Sequence, residues 1–443
     1  MENTIGLGSM REHLVTEASF DAREDFVARI SRGKNTGESR ERSAERRSDS
    51  RVSHLLSRVG QIGSIERGEE SGQWYHRFGS HAEDSLCEQL VQAEAGYAES
   101  PENPRLRKEI GALVYASGMG AISAVLQELV RDIPVREREG KRFISGRTLY
   151  FNTRDLLQKE LPRAYGIEPA LQVDTTDPEN VRAALEANRG AVIAIYYEPV
   201  TNPLLEYTDT RAIAEIAKAF GVPVIVDNTF LTPYLLQPFR QGADVVLHSL
   251  TKYANGEGDF QAGAVVGRSE FIRKLKTART NDGQILSDPS LAITLAHRLS
   301  GLPERMDKHA ENAQAFAEFL RSDAQPYVSE VYFPQLQDTR GSSTGGVLSF
   351  VLRGENDSER TQRESDLMTY IAQRQICQMC PEANTPLVYK TSFGESGHLI
   401  LGETTFGYPP EYNPGLVRLA AGRTNVQPAI SFLRQALTEV YRK

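Results

Sequence analysis

The chain has 443 residues, of which 40% are hydrophobic and 25% charged, and its formal net charge is −8. A chain of this size forms two or three domains and buries a core that needs no disulfide or metal staple. The acidic balance excludes a general polyanion-binding surface, so no nucleic-acid partner is expected.

Residues 1–20 lack the apolar stretch of a secretory signal, and no run anywhere is long and apolar enough to span a bilayer. A cytoplasmic protein with no membrane partner is therefore expected. Residues 31–51, SRGKNTGESRERSAERRSDSR, carry almost no apolar side chains and predict a mobile segment. The mixed signs of its charges argue against a nucleic-acid arm.

From about residue 108 helical and strand patterns alternate. The run GMGAISAVLQELV has helical spacing at Ile122, Val125, Leu126 and Leu129, and a strand-like segment precedes it. AVIAIYYE (191–198), VPVIVDN (222–228) and DVVLHS (244–249) read as buried strands. RAIAEIAKAFG (211–221) reads as a helix closed by Gly221. Strand, helix and strand at this spacing predict βαβ units and a parallel sheet. After about residue 290 the texture changes. One long helix is predicted over LAITLAHRLSGLPERMDKHAENAQAFAEFLRS, then a strand over GGVLSFVL (345–352) and a helix over SERTQRESDLMTYIAQR. A smaller α+β domain is expected there.

Three cysteines give no disulfide framework. Cys377 and Cys380 form a CxxC without a second pair, so no structural zinc site and no other metal is expected. The pair reads as two thiols near a helix end, with a redox role as the alternative.

The chemistry-bearing residues follow the strands. Asp227 closes VIVD, and ligands bind at the carboxyl ends of such strands. A buried carboxylate needs a cationic or hydrogen-bonding partner, and a protonated ring nitrogen would serve. Lys252 follows the next strand, in HSLTKY. Beside a cofactor aldehyde a lysine forms an imine, and its freed amine then moves protons between carbons. Ser249 and Thr251 flank it with hydroxyls suited to a phosphate. SGMGA (117–121) opens a helix with glycines that admit an anion to the backbone N–H groups.

Together these residues resemble the cystathionine γ-synthase, cystathionine γ-lyase and methionine γ-lyase family of pyridoxal-phosphate enzymes. The resemblance runs from about Gly72 to the C-terminus through YHR (75–77), SGM (117–119), TLY (148–150), EPVTNP (198–203), VDNTF (226–230), HSLTKY (248–253), RLSGLPERMDKHAENA (298–313), GGVLSF (345–350), SFG (392–394) and LVRLAAG (416–422). It implies fold type I, the aspartate aminotransferase-like α/β architecture: a mostly parallel central sheet with helices on both faces, and a smaller C-terminal α+β domain. The implied division is an N-terminal arm over 1–92 that reaches the neighbouring subunit, a large cofactor domain over 93–298 and a C-terminal domain over 299–443.

The resemblance also implies roles. Lys252 would hold pyridoxal 5'-phosphate as a Schiff base and relay protons. Asp227 would pair with the pyridinium nitrogen. Tyr150 would stack on the ring and act on the leaving group. Gly118, Met119, Ser249 and Thr251 would hold the phosphate, joined by Tyr75 and Arg77 from a neighbouring subunit. The active site would then be shared within a homo-oligomer, a dimer or a dimer of dimers. Asn202 would bond the cofactor's phenolic oxygen, while Ser392 and Arg418 would hold the carboxylate of a small amino-acid substrate.

Several positions depart from the family's usual residues. Phe151, Asn152, Thr153 and Arg154 follow TLY, and Asn255, Gly256, Glu257, Gly258 and Asp259 replace a Gly-Gly-His-Ser-Asp run. ESGHLILGETTFGYPPEYNPG replaces the stretch after SFG, and Arg423 stands at a usually apolar position. Arg154 or Arg423 is expected either to meet an anionic substrate group or to form a salt bridge. His76, His248 and His309 read as structural, and Tyr97 is a candidate near the site. The expected activity is γ-replacement or γ-elimination on an O-activated homoserine or a sulfur amino acid, in a specialised biosynthetic role. A β-lyase acting on a cysteine-type C–S bond uses the same residues and stays open. A non-catalytic scaffold predicts erosion at Lys252, Asp227, Tyr150 or Arg418, and all four are intact.

Overall fold

The computed structural model describes residues 75–95, 109–376, 386–402 and 414–442. Residues 31–51, Tyr97, Cys377 and Cys380 lie outside the described residues, as does most of the N-terminal arm. No helix among the described residues is long and apolar enough to cross a membrane.

The chain forms two compact units. The first holds a seven-stranded sheet in the order β1-β7-β6-β5-β4-β2-β3. Its strands are β1 (Ile110–Tyr115), β2 (Arg142–Gly146), β3 (Leu171–Val173), β4 (Val192–Tyr197), β5 (Val224–Asp227), β6 (Val245–Ser249) and β7 (Gly263–Arg268). The pairs β2–β3, β2–β4, β4–β5 and β5–β6 are parallel, and β7 alone runs antiparallel to its neighbours β6 and β1. Every residue of Val224–Val226 and Val245–Leu247 is buried, so both faces of the sheet are covered. That explains why these strands read as continuous apolar runs without alternation.

The helix Gly118–Arg131 buries Ala121, Ile122, Ala124, Val125, Leu126, Leu129 and Val130 along one stripe. That stripe packs with Leu113, Tyr115, Leu247 and Val265 of the sheet and with Phe271, Ile272 and Leu275 of the helix Ser269–Asp282. The helix Thr210–Phe220 closes on Gly221 at φ 67°, the left-handed conformation that glycine adopts without strain.

The second unit holds a five-stranded sheet in the order β10-β11-β12-β9-β8. These are β8 (Val328–Tyr332), β9 (Val347–Leu352), β10 (Leu387–Tyr389), β11 (His398–Gly402) and β12 (Leu416–Ala420), antiparallel except for β10–β11. The helices Leu302–Arg321, Asp357–Ile376 and Val426–Val440 bury Phe316, Leu320, Leu367, Ile371, Leu433 and Leu437 with the sheet residues Leu348, Phe350, Val417 and Leu419. Two short segments from earlier in the sequence, Val200–Tyr207 and Asn255–Asp259, belong to this unit.

The single helix expected after residue 290 is two, Ser290–Leu299 and Leu302–Arg321. The break has a local cause. The Ser300 hydroxyl donates to the His297 carbonyl and Gly301 N–H turns back to Arg298 O. Pro303 then sits in the first turn of the second helix, where no backbone N–H is needed.

Candidate active site

In the first unit the site residues gather at the carboxyl ends of β4, β5 and β6. Asp227 ends β5 and is buried, with 8% of its surface exposed. Its Oδ1 accepts from Thr229 N at 3.1 Å and from Thr229 Oγ1 at 2.6 Å, and its Oδ2 accepts from the Tyr196 hydroxyl at 3.2 Å. Burial pushes the carboxyl above its usual range, and the Thr229 bonds, His248 and Tyr196 oppose that only in part. A cation over Asp227 would relieve this. The protonated ring nitrogen of pyridoxal phosphate would supply that cation.

The Thr229 hydroxyl also accepts from Ser249 N at 2.7 Å, tying the end of β5 to the end of β6. Beyond Ser249 the chain turns, with Lys252 N donating to Ser249 O at 3.2 Å. Thr251 lies in that turn. Its hydroxyl donates to Ala262 O at 3.2 Å and accepts from Ala262 N at 3.1 Å, so it is engaged by backbone.

The helix Gly118–Arg131 starts beside Ser249. Ser117 caps it, its Oγ accepting from Gly120 N at 3.0 Å. A Cβ on Gly118 would fall 2.8 Å from Ser249 Cβ and 3.0 Å from Ser249 Oγ, so only glycine fits. The N–H groups of Gly118 and Met119 have no carbonyl partner within the helix and carry the positive end of its dipole. A helix start of this kind can accept an anion.

Tyr150 stands at the start of the short helix Phe151–Asp155. The residue is 44% exposed, and its ring lies 4.8 Å from that of Phe151. Its hydroxyl accepts from Asn152 Nδ2 at 3.3 Å. Its backbone N–H donates to Glu198 Oε1 at 2.6 Å. Whereas Asp227 is the last residue of β5, Glu198 directly follows β4. Burial first, and the neighbouring Asp227 charge second, push its carboxyl up to about 8. In the sequence Glu198 lies inside EPVTNP, where no role is expected of it. The available signal was the one used for Asp227: a carboxylate closing an all-apolar strand.

Tyr75 and Arg77 stand together, with the exposed Arg77 guanidinium 4.8 Å from the Tyr75 ring centroid. The three histidines read as structural are all buried and engaged. His76 Nε2 meets Leu286 O at 2.9 Å, His248 Nε2 meets Glu94 Oε1 at 2.6 Å and His309 Nδ1 meets Ala421 O at 2.6 Å. Burial pushes His309 down to about 4.

The second unit brings Asn202, Ser392 and Arg418 together. Arg418 lies on β12 between Ser349 of β9 and Leu401 of β11, with 5% of its surface exposed. Its Nη1 donates to Asn202 Oδ1 and its Nη2 to Ser392 O, each at 3.3 Å. Ser392 sits at φ 99°, a strained conformation for a residue with a side chain. Pro203, next to Asn202, is held by Ser349 Oγ, which donates to its carbonyl at 2.7 Å.

The departures at 255–259 and at Arg423 also meet. Arg423 Nη2 donates to Glu257 Oε1 at 2.7 Å and to Gly256 O at 3.2 Å. Of the two expectations for Arg423, the salt bridge is therefore the one seen, and Glu257 takes the guanidinium that an anionic substrate group would need.

An aspartate and a lysine at the carboxyl edge of a mostly parallel sheet, beside a glycine-opened helix, define a fold-type-I pyridoxal-phosphate enzyme. Residues 52–375 match the family of Cys/Met metabolism PLP-dependent enzymes, and the chain belongs to it. An L-methionine γ-lyase of Porphyromonas gingivalis is 34% identical over 391 residues, 84% of this chain and 86% of that one. A cystathionine γ-lyase of Bacillus subtilis is 31% identical over 88% of this chain and 95% of its own. The crystal structure of a cystathionine γ-synthase from Xanthomonas oryzae pv. oryzae superposes with a TM-score of 0.71 at 26% identity, covering 89% of this chain and 92% of that one.

The closeness of Gly118 to Ser249 yields a prediction. Gly118→Ala forces an overpacked contact with Ser249 costing about 1–3 kcal/mol at the start of this helix. The dissociation constant for pyridoxal phosphate, read by absorbance titration of the apoenzyme, rises about tenfold or more.

Proposed function

We propose that the chain catalyses γ-elimination or γ-replacement on a sulfur amino acid or an O-activated homoserine. The observation that carries this reading is the coexistence of two intact arrangements: Asp227 and Lys252 with the helix start at Gly118, and the Asn202–Arg418–Ser392 cluster. The γ-lyase and γ-synthase names of the similar proteins support the choice of Cγ.

Pyridoxal phosphate, once bound, supplies an electron sink conjugated to the substrate's Cα. In this reading Lys252 holds its aldehyde carbon and Asp227 keeps its ring nitrogen protonated. Gly118, Met119 and Ser249 would hold its phosphate, and Thr251 would join them by turning its hydroxyl proton away from Ala262 O. The Asn202 amide NH2 is the donor for its phenolic oxygen, since Oδ1 already accepts from Arg418. The Lys252 amine, released by the substrate, takes the Cα proton and moves protons along the carbon chain. Tyr150 acts on the departing γ-group. The Arg418 fork and Ser392 hold the α-carboxylate, which fixes Cα for deprotonation.

Product analysis tests this reading. With methionine, cystathionine and O-acetyl- and O-succinyl-homoserine the expected products are 2-oxobutyrate or, with a thiol present, a replacement product. Pyruvate as the main product from cysteine-type substrates, with no turnover at Cγ, would contradict it and favour a β-lyase.

Tyr75 and Arg77 are further proposed to reach the phosphate site of a neighbouring subunit. Lys252→Ala and Arg77→Ala are then each inactive, but when unfolded and refolded together they regain roughly a quarter of wild-type activity through hybrid dimers. No recovery in demonstrably mixed oligomers would place both residues in one subunit's site.

A further inference from the structure

Glu198 has no task in the chemistry above, yet its position is specific. Tyr197 pairs with Val226 across the parallel strands β4 and β5, so Glu198 and Asp227 come next along, side by side at the sheet edge. Two carboxyls so placed do not both ionise readily in a poorly solvated site. Their surroundings divide the roles. Asp227 accepts from Thr229 N, Thr229 Oγ1 and Tyr196 OH, with His248 nearby and paired to Glu94. Those donors favour an anion. Glu198 accepts from the Tyr150 backbone N–H, a bond that favours the anion but less than the three donors on Asp227 do, and that a neutral carboxyl keeps through its carbonyl oxygen. The Tyr196 phenol beside them is pushed well above its ordinary range by burial and by these two acids, and stays neutral.

The bond to Tyr150 matters because Asn152, Arg154 and Phe151, which also contact that residue, belong to its own short helix. Tyr150 opens this five-residue helix without a side-chain cap, and the residue is 44% exposed. Glu198 anchors the backbone from which the ring projects.

We infer that Glu198 is a positioning residue: its carboxyl keeps a proton, leaves Asp227 as the anion of the pair, and through Oε1 holds Tyr150 where its ring meets the cofactor. This rests on the cofactor reading given above.

Burial and the Asp227 charge raise the Glu198 carboxyl to about 8, against an ordinary value of 4.5. A proton held more tightly when folded stabilises the fold below pH 4.5. That stabilisation is lost as pH rises toward 8. Asp227 contributes a slope of the same sign, so the difference between wild type and Glu198→Gln isolates Glu198.

The test uses Glu198→Gln, which keeps an acceptor oxygen and fixed neutrality, and Glu198→Ala, which keeps neither. Three readouts are taken: affinity of the apoenzyme for pyridoxal phosphate, visible circular dichroism of the bound cofactor, and urea stability of the apoenzyme from pH 5 to 9. The expected result is that Gln holds affinity within about twofold and preserves the dichroic band. Ala weakens affinity about fivefold or more, the range for a lost acceptor, and alters the band. Gln also removes part of the fall in stability with pH. If Gln behaves as Ala does, or if the pH profiles of wild type and Gln superimpose, the inference is overturned. A wild-type protein that binds no pyridoxal phosphate would instead overturn the cofactor reading beneath it.

Discussion

The carboxylate of Asp227 is the point on which the first unit's site depends. It stands at the end of a strand buried on both faces, where a lone charge is costly. Thr229 and Tyr196 hold it by three hydrogen bonds, and the same Thr229 hydroxyl receives the N–H of Ser249. One side chain thus fixes the ends of β5 and β6 together, and Lys252 follows three residues later. The positions of the acid and the lysine are set by a single local network.

That network is supported by close backbone approach. Gly118 allows the helix start to lie against Ser249, and Gly263 on the antiparallel β7 allows the chain to pass Ser117, where a Cβ would fall 2.2 Å from its carbonyl oxygen. The helix N-terminus, the β6 end and the returning β7 therefore pack tightly only with glycine at both positions. In the second unit a comparable constraint acts on Arg418, whose guanidinium reaches Asn202 and the strained Ser392.

Much of this was legible in the sequence. VIVD and VVLHS read as buried strands because both sheet faces are covered, and Asp227 and Lys252 stood out as polar residues closing such runs. What was not legible depends on pairing between distant segments. β7 carries an apolar run like its neighbours, and its direction follows from the connection over residues 250–262, which holds no crossover helix, rather than from composition. Glu257 and Arg423 read as two separate departures, whereas folding joins them in one ion pair across 166 positions. The break at Ser300 and Gly301 was hidden because apolar spacing continues on both sides of it. Glu198 was missed because its meaning lies in the strand beside it, where Asp227 supplies the second carboxyl.

The central claim is that Lys252 and Asp227 hold pyridoxal phosphate in a working state. An absorbance spectrum of the purified protein, compared with Lys252→Ala and Asp227→Ala, tests it most directly. The account predicts a visible band in the wild type, its loss in Lys252→Ala, and a markedly weaker or shifted band in Asp227→Ala. A wild type that stays colourless in excess pyridoxal phosphate, or a band unchanged when Lys252 is removed, would contradict it.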